Sequence, residues 1–232
     1  TGKHESWGKL ERKMVHEIKK PLTTIQLTLH SIKNQYSTYL NDNDKEKFKE
    51  NLKIINNQIK QIEKLINDFS DFARMPKPTL QNNDLILLIN DNVKLLQELD
   101  NTINISFKTN HKEIFFNSDK EQLSRVFVNL IKNSIESIHQ KLEKVSNIKK
   151  NIAIELINEN NHISFIIDDT GIGFDNLNEN IKDILNPYFT TKEKGTGLVL
   201  SIVNKIINDH NGKIEFFSKD NGSKIKITFL KL

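Results

Sequence analysis

The sequence has no cysteine in its 232 residues. A disulfide framework, a thiolate metal site and a cysteine nucleophile are therefore excluded. It also lacks any apolar run near the ~20 residues that cross a bilayer, and no signal-peptide pattern opens it. Charge of one sign is missing too: 34 basic residues face 30 acidic ones, a net of +4, and lysines alternate with acids along most segments. That pattern describes a solvated surface and gives no support to nucleic-acid binding. Proline and glycine are scarce, at four and eight residues, so the places where they occur carry information. With 36% hydrophobic and 28% charged residues, the composition is that of a globular chain of one or two domains. It opens on Thr1 rather than Met and reads as a piece of something longer.

One of the few prolines sits where a helix is expected. In MVHEIKKPLTTI (14–25), Pro21 follows His16-Glu17 within two turns. Inside a helix it removes a backbone donor and presses on the carbonyl of Glu17, at a cost of roughly 3 kcal/mol. Yet the periodicity around it is helical. Val15, Ile18, Leu22, Ile25, Leu29, Ile32 and Tyr36 recur at spacings of three and four, as do Phe48, Leu52, Ile55, Ile59, Ile62, Ile66 and Phe69. These heptad seams predict a hairpin of two long helices over residues 5 to about 75, turning at NDND (41–44). Two helices bury little core, so dimerisation into a four-helix bundle is the natural completion.

RMPKPTL (74–80), with two prolines in three residues, ends this pattern and predicts a hinge. Beyond it INISF (103–107), IFF (114–116), NIAIELI (151–157) and HISFIID (162–168) read as strands. Residues 119–144 read as a long amphipathic helix and 197–210 as another. The segment 212–230 reads as a hairpin turning at Asn221-Gly222. Strands interleaved with helices predict an α/β sandwich, and the whole chain an α+β protein with domains over 1–75 and 76–232.

Four of the eight glycines fall between Gly171 and Gly197. DDTGIGF (168–174) follows a strand, and KGTGLVLSIV (194–203) opens a helix. A glycine-rich turn entering a helix N-terminus suits phosphate, because unpaired N–H groups and the helix dipole both favour an anion. Either motif alone marks a tight turn about as often. The GxGxxG form and its βαβ unit are absent. Asn129 and Asn133 lie one turn apart on the 119–144 helix, beside the apolar Val126, Leu130 and Ile131. An amide oxygen is a hard, neutral ligand of the kind Mg²⁺ takes alongside water and phosphate oxygens.

The ordered set HEIKKPL, NLIKNSIES, DDTGIGF, NPYFTTK and KGTGLVLSIV resembles the H, N, G1, F and G2 boxes of the sensor histidine kinases of two-component systems, and most of all their nitrogen-regulation-like subfamily. The resemblance covers nearly the whole chain. It implies a dimeric phosphoacceptor hairpin followed by an ATP-binding domain of the histidine kinase/Hsp90-like type. The family would phosphorylate His16 from ATP and pass the group to an aspartate on a response regulator receiver domain. Glu17 would hydrogen-bond the other ring nitrogen of His16 and help accept its proton, while the other six histidines read as surface residues. Asp169 would accept from the adenine amino group, and Gly171 and Gly173 would let the backbone approach the base. Asn133 would ligate Mg²⁺, with Asn129 and Lys132 on the phosphate side. Phe189, Thr190, Thr191, Lys192, Gly195, Thr196, Gly197 and Leu198 would form a lid ending on the triphosphate. The family carries a proline five residues past its histidine, which gives Pro21 a use as a flexible point. A homodimer in the cytoplasm is implied, joined to a membrane only through regions absent from this chain.

Two residues depart from the family's pattern. Val199 stands where the last glycine of GTGLGL is usual, and Lys20 stands where the subfamily has Asn in HEIKNPL. Lys20 puts phosphatase activity toward the regulator in doubt. Two other readings stay open: a catalytically silent dimeric scaffold, which ATP affinity would distinguish, and a non-kinase ATPase such as a chaperone or mismatch-repair protein. A His-Glu pair on a heptad hairpin argues against the second.

Overall fold

A computed structural model describes residues 2–174 and 198–232, with side chains from residue 9 onward. The chain divides into two compact units at Pro76/Lys77. The first is helical. Helix α1 runs Gly2–Tyr36, a short 3₁₀ turn covers Ser37–Tyr39, and α2 runs Asp42–Arg74. The turn therefore precedes NDND rather than using it. Asn41 is the N-cap of α2, its Oδ1 accepting from the Asp44 N–H at 2.8 Å, and Asp42 and Asp44 place negative charge in the first turn. Asn and Asp at those positions serve a helix start as well as a loop, which is why the boundary was misread.

Helix α1 continues through Pro21. The exposed Glu17 side of this turn is open to water, and the Thr23 and Thr24 hydroxyls donate to the carbonyls of Lys19 and Lys20 at 3.0 and 3.2 Å. Between the helices Leu22, Ile59 and Ile66 are buried, with Val15 and Leu29 packed against them. Leu52, Ile59 and Ile66 are spaced by seven, so only half of the second seam is used within the hairpin. Ile18, Ile25, Ile55 and Ile62 remain 40–45% exposed.

Near the open end of the hairpin a charge is buried. Glu11 is 1% exposed and accepts from the Arg74 guanidinium, Oε2 from Nε at 2.5 Å and Oε1 from an outer nitrogen at 3.2 Å, and from the Ser70 hydroxyl. Burial pushes the Glu11 carboxyl up, but the Arg74 and Ser70 hydrogen bonds and the charges of Arg74 and Arg12 outweigh it, leaving the group below its ordinary value.

The second unit is a two-layer sandwich. Its five-stranded sheet has the order β2-β4-β5-β7-β6, made of Asn104–Thr109 (β2), Asn151–Asn158 (β4), His162–Asp169 (β5), Gly212–Lys219 (β6) and Gly222–Leu230 (β7). The β2–β4 pair is parallel and the others antiparallel. Helices Leu85–Leu99 (α3), Lys120–Lys144 (α4) and Val199–Asp209 (α5) complete the unit. Strands Gln81–Asp84 (β1) and Phe115–Ser118 (β3) pair separately, so the predicted IFF strand lies outside the main sheet. Helix α3 and β1 lie outside the elements that the sequence pattern predicts. Yet Asp84 caps α3 by accepting from the Ile86 N–H at 3.0 Å, and Leu85, Ile86, Leu88, Ile89 and Leu96 are buried.

Period-two alternation sets the core. Ile152, Ile154 and Leu156 of β4, Ile163, Phe165 and Ile167 of β5, and Ile225, Ile227 and Phe229 of β7 are all buried. The ring of Phe127 on α4 packs on Phe165 with centroids 4.7 Å apart. His210, read as a surface residue, is 2% exposed. Its Nδ1 donates to the Ile206 carbonyl at 2.7 Å and its Nε2 accepts from the Asp119 N–H at 3.0 Å, which ties the end of α5 to the N-cap of α4.

Because the folded Glu11 carboxyl titrates below its ordinary value, its stabilisation is present above the unfolded value of ~4.3 and lost as pH falls through the folded one. Glu11→Gln is expected to lower stability by roughly 2 kcal/mol near neutrality, the worth of hydrogen bonds to a charged group. In urea denaturation across pH, native and variant should converge below the ordinary glutamate range. A gap that stays constant into acid would contradict this.

Candidate functional site

On the hairpin, Val15 is half-buried in the seam, and His16, Glu17 and Lys20 stand exposed beside it. His16 and Lys20 are four apart and share a helix face. The ring is thus presented to solvent on a helix held by its neighbour, with a cationic side chain one turn away.

In the second unit, three core-facing rows each carry a polar residue. Along β5 the inward row runs Ile163, Phe165, Ile167 and then Asp169, which is 3% exposed. Along β7 it begins with Ser223, the register partner of Asp169. On α4 the buried stripe Phe127, Leu130, Ile131 continues to Ser134. These three meet: Asp169 Oδ2 accepts from the Ser134 hydroxyl at 3.0 Å and from the Ser223 hydroxyl at 2.9 Å, and Oδ1 accepts from the Gly171 N–H at 2.9 Å. Among the described residues no Lys or Arg pairs with this carboxylate. Asp168, which points the other way, pairs with Lys219.

The turn after β5 is clamped from two sides. The Ile172 N–H donates to Ser137 of α4, to the hydroxyl at 2.9 Å and the carbonyl at 3.3 Å. A Cβ on Gly171 would lie 2.2 Å from the Ser137 hydroxyl and 2.7 Å from its backbone, so only glycine permits this approach. Gly173 has φ +82°, and a Cβ there would lie 2.7 Å from the Gly222 carbonyl. On the other side the Ser218 hydroxyl donates to the Phe174 carbonyl at 3.2 Å, and Phe174 meets Phe216 edge-on at 5.5 Å. The two glycines are thus required by contacts with α4 and with the β6–β7 hairpin, a reason that motif reading did not supply. The hairpin itself turns at Asp220-Asn221, one residue before the predicted site. Gly222 is the first residue of β7, at φ +136°, and a Cβ there would sit 1.8 Å from the Asp169 carbonyl.

Asn129, Asn133 and Ser137 follow at four-residue steps along α4, and all three are half-buried, while Lys132 is exposed. Ser137 touches the turn, so Asn133 lies one helical turn, about 5.4 Å, from that contact. Asp169, Gly171 and Gly173 thus share one turn, with Asn133 one helical turn along α4 from it and Asn129 a further turn away. Among the described residues no group of three or more His, Cys, Asp or Glu could hold a metal. An ion here would need a neutral amide together with oxygens from phosphate and water, a donor set that suits Mg²⁺ and that Asn133 fits. Leu198 is buried, and Val199 is the first residue of α5 rather than an interior one. Phe189, Thr190, Thr191, Lys192, Gly195, Thr196 and Gly197 lie outside the described residues. Ser134 and Ser223 were missed in the sequence, although each heads or continues a core-facing row where an apolar residue is the ordinary choice.

A phosphoacceptor-type hairpin joined to a nucleotide-binding sandwich is the class that these two units define. The model of the His Kinase A (phospho-acceptor) domain matches residues 6–78, and that of the histidine kinase-, DNA gyrase B-, and HSP90-like ATPase matches residues 118–232. An NtrY-like sensor histidine kinase of Rickettsia bellii is 31% identical over 220 residues, 95% of this chain and 34% of its own length. Nitrogen regulation protein NtrY of Azorhizobium caulinodans is 32% identical over 221 residues, 90% of this chain and 27% of its own. A crystal structure of histidine kinase ThkA in complex with response regulator protein TrrA shares the fold, with a TM-score of 0.66 and 22% identity over 97% of this chain and 62% of that one. The chain belongs to the sensor histidine kinases. It spans about a third of the length of the curated relatives it matches.

Gly222→Ala is expected to destabilise the protein by roughly 2–4 kcal/mol, through backbone strain and collision with the Asp169 carbonyl. Asn221→Ala, on the exposed turn, should stay within about 0.5 kcal/mol of the native protein. Paired urea denaturation curves check this. Equal costs at the two positions would mean that the close approach does not constrain the fold.

Proposed function

We propose that this chain is the catalytic part of a dimeric ATP-dependent protein-histidine kinase, with domains over 1–75 and 76–232. It transfers the γ-phosphoryl of ATP to His16 and then to an aspartate of a response regulator receiver domain. The observation that carries this reading is the pairing of two features within one chain: an exposed His16-Glu17 inside the phosphoacceptor match, and a buried carboxylate, Asp169, with one acceptor position left beside a glycine turn. A ring nitrogen of His16 attacks the γ-phosphorus, the bond to the ADP oxygen breaks, and the ring proton leaves. Glu17 is the group to hold the other ring nitrogen and receive that proton. Asp169 selects the base, and Asn133, with Asn129 and Lys132, holds the phosphate side. Mg²⁺, when bound through Asn133, neutralises charge on the phosphates, and the rest of the rate comes from positioning.

The exposed Ile18, Ile25, Ile55 and Ile62 support a homodimer, since a second hairpin would complete both seams. None of the described helices is long and apolar enough to cross a membrane. A cytoplasmic location, with any anchor outside this chain, is part of the proposal.

Incubation with γ-labelled ATP and Mg²⁺ should put acid-labile label on the native protein and none on a folded His16→Ala variant. Label surviving that substitution would remove His16 as acceptor, and a native protein that binds ATP but takes no label would favour the silent scaffold.

Lys20 sharpens the reading. Hydrolysis of a phosphorylated regulator needs a group that accepts a hydrogen from the attacking water, and a Lys ammonium has three donors and no acceptor. It can draw on a phosphoryl oxygen but cannot aim the water. The protein is therefore expected to leave a phosphorylated regulator long-lived in the presence of excess kinase and ADP, while Lys20→Asn shortens that lifetime. A native protein that already shortens it strongly, with no gain in the variant, would refute the assignment.

A further inference from the structure

We infer that Ser134 and Ser223 are positioning residues that turn a single oxygen of Asp169, Oδ1, toward the nucleotide base and thereby set the preference for a 6-amino over a 6-oxo purine. The inference rests on the proposal that Asp169 receives the base. Each carboxylate oxygen can accept about two hydrogen bonds. On Oδ2 both positions are filled, by the Ser134 hydroxyl at 3.0 Å and the Ser223 hydroxyl at 2.9 Å. On Oδ1 the Gly171 N–H fills one position at 2.9 Å, and among the described residues nothing fills the other. The three donors come from three separate elements, α4, β7 and the turn after β5, so together they fix the plane of the carboxyl group as well as its place. All three residues are buried: Asp169 is 3% exposed, Ser134 3% and Ser223 5%.

The consequence is chemical selectivity. With Oδ2 saturated by donors, the group presents one acceptor and nothing else, so it welcomes an N–H and repels a carbonyl oxygen. A buried carboxylate is costly to leave short of hydrogen-bond donors, and here the two hydroxyls supply much of the compensation. Without them the group can rotate about its last torsion, and the acceptor aimed at a 6-amino group is lost, while a 6-oxo base, which makes no such bond, is little affected. The hydroxyls therefore do more than fill a core: they keep the recognition group single-valued.

The test is equilibrium nucleotide affinity, read by displacement of a fluorescent ADP analogue, for ATP and for ITP, which carries oxygen in place of the 6-amino group. Ser134→Ala and Ser223→Ala should each weaken ATP binding by about tenfold, the worth of one hydrogen bond to a charged group. ITP affinity should change little, so the ATP/ITP ratio falls in each single variant and further in the double. Ser223→Thr keeps a hydroxyl at that position and should restore the native ratio. If both nucleotides weaken equally, or the ratio stays within about twofold of native in both single variants, the serines serve packing alone and the inference fails. Circular dichroism of each variant separates folding defects from binding ones, and the single variants decide the matter if the double does not fold. Asp169→Asn distinguishes the two levels. Native ATP affinity in that variant overturns the site reading itself, whereas loss of ATP binding there with an unchanged ratio in the serine variants sinks only the positioning role.

Discussion

The sheet unit is organised around the demand that the donors of a buried carboxylate be supplied by hydroxyls and backbone. Leaving such a group unpaired would cost several kcal/mol, comparable with the net stability of a domain. Here the parity of β5 turns Asp169 inward, and the β5–β7 register sets Ser223 directly opposite. The stripe of α4 delivers Ser134 to the same point. Once those contacts are made, the turn after β5 has little freedom. Its Gly171 N–H must reach Oδ1 and its Ile172 N–H must reach Ser137. The hairpin start at Gly222 must pass within contact of the Asp169 carbonyl. One polar cluster thus locks a helix, two strands and a turn, and the same lock leaves one acceptor position for a ligand.

Much of this was legible in the sequence, and the parts that were not have physical reasons. The heptad seams, the long α4 helix and the four longest strands announce themselves through period, because burial on one face repeats every 3.5, 3.6 or two residues. Helix α3 was passed over because LILLI is apolar at five successive positions and hides a helical face that the Asp84 cap does reveal. The turn at 37–41 was misplaced because Asn and Asp suit both a loop and a helix start. His210 was read as a surface residue because a histidine that gives one proton and takes another can be buried at no polar loss, and only the contacts of its two nitrogens show that.

The site was legible as motifs rather than as geometry. Asp169, Asn133 and the glycines could be named from their boxes, but the cause of each glycine could not. Gly171 and Gly173 are demanded by Ser137 and by the Gly222 carbonyl, residues 34 and 49 positions away in the chain. Ser134 and Ser223 carried a fainter sign: a hydroxyl in a row that is otherwise apolar. Such a residue is an exception to the core pattern on each element, and here three exceptions meet at one point.

The hairpin follows a complementary logic. Its internal seam uses Leu22, Leu52, Ile59 and Ile66, while four isoleucines of comparable size stay outside it. A single hairpin that spends only half of its apolar positions is incompletely folded in the energetic sense, since each of these isoleucines, 40–45% exposed, withholds roughly 1 kcal/mol that burial would release. Against this, the hairpin places a buried carboxylate, Glu11, paired with Arg74, near its open end, where α2 leads out of the unit. Apolar seams tolerate sliding by a heptad, but a carboxylate that must meet a guanidinium and a serine hydroxyl tolerates none. The clasp therefore supplies register where hydrophobic packing supplies only affinity. Register matters in this chain because His16 lies little more than one turn beyond Glu11, and a shift of the helices would carry the exposed ring with it.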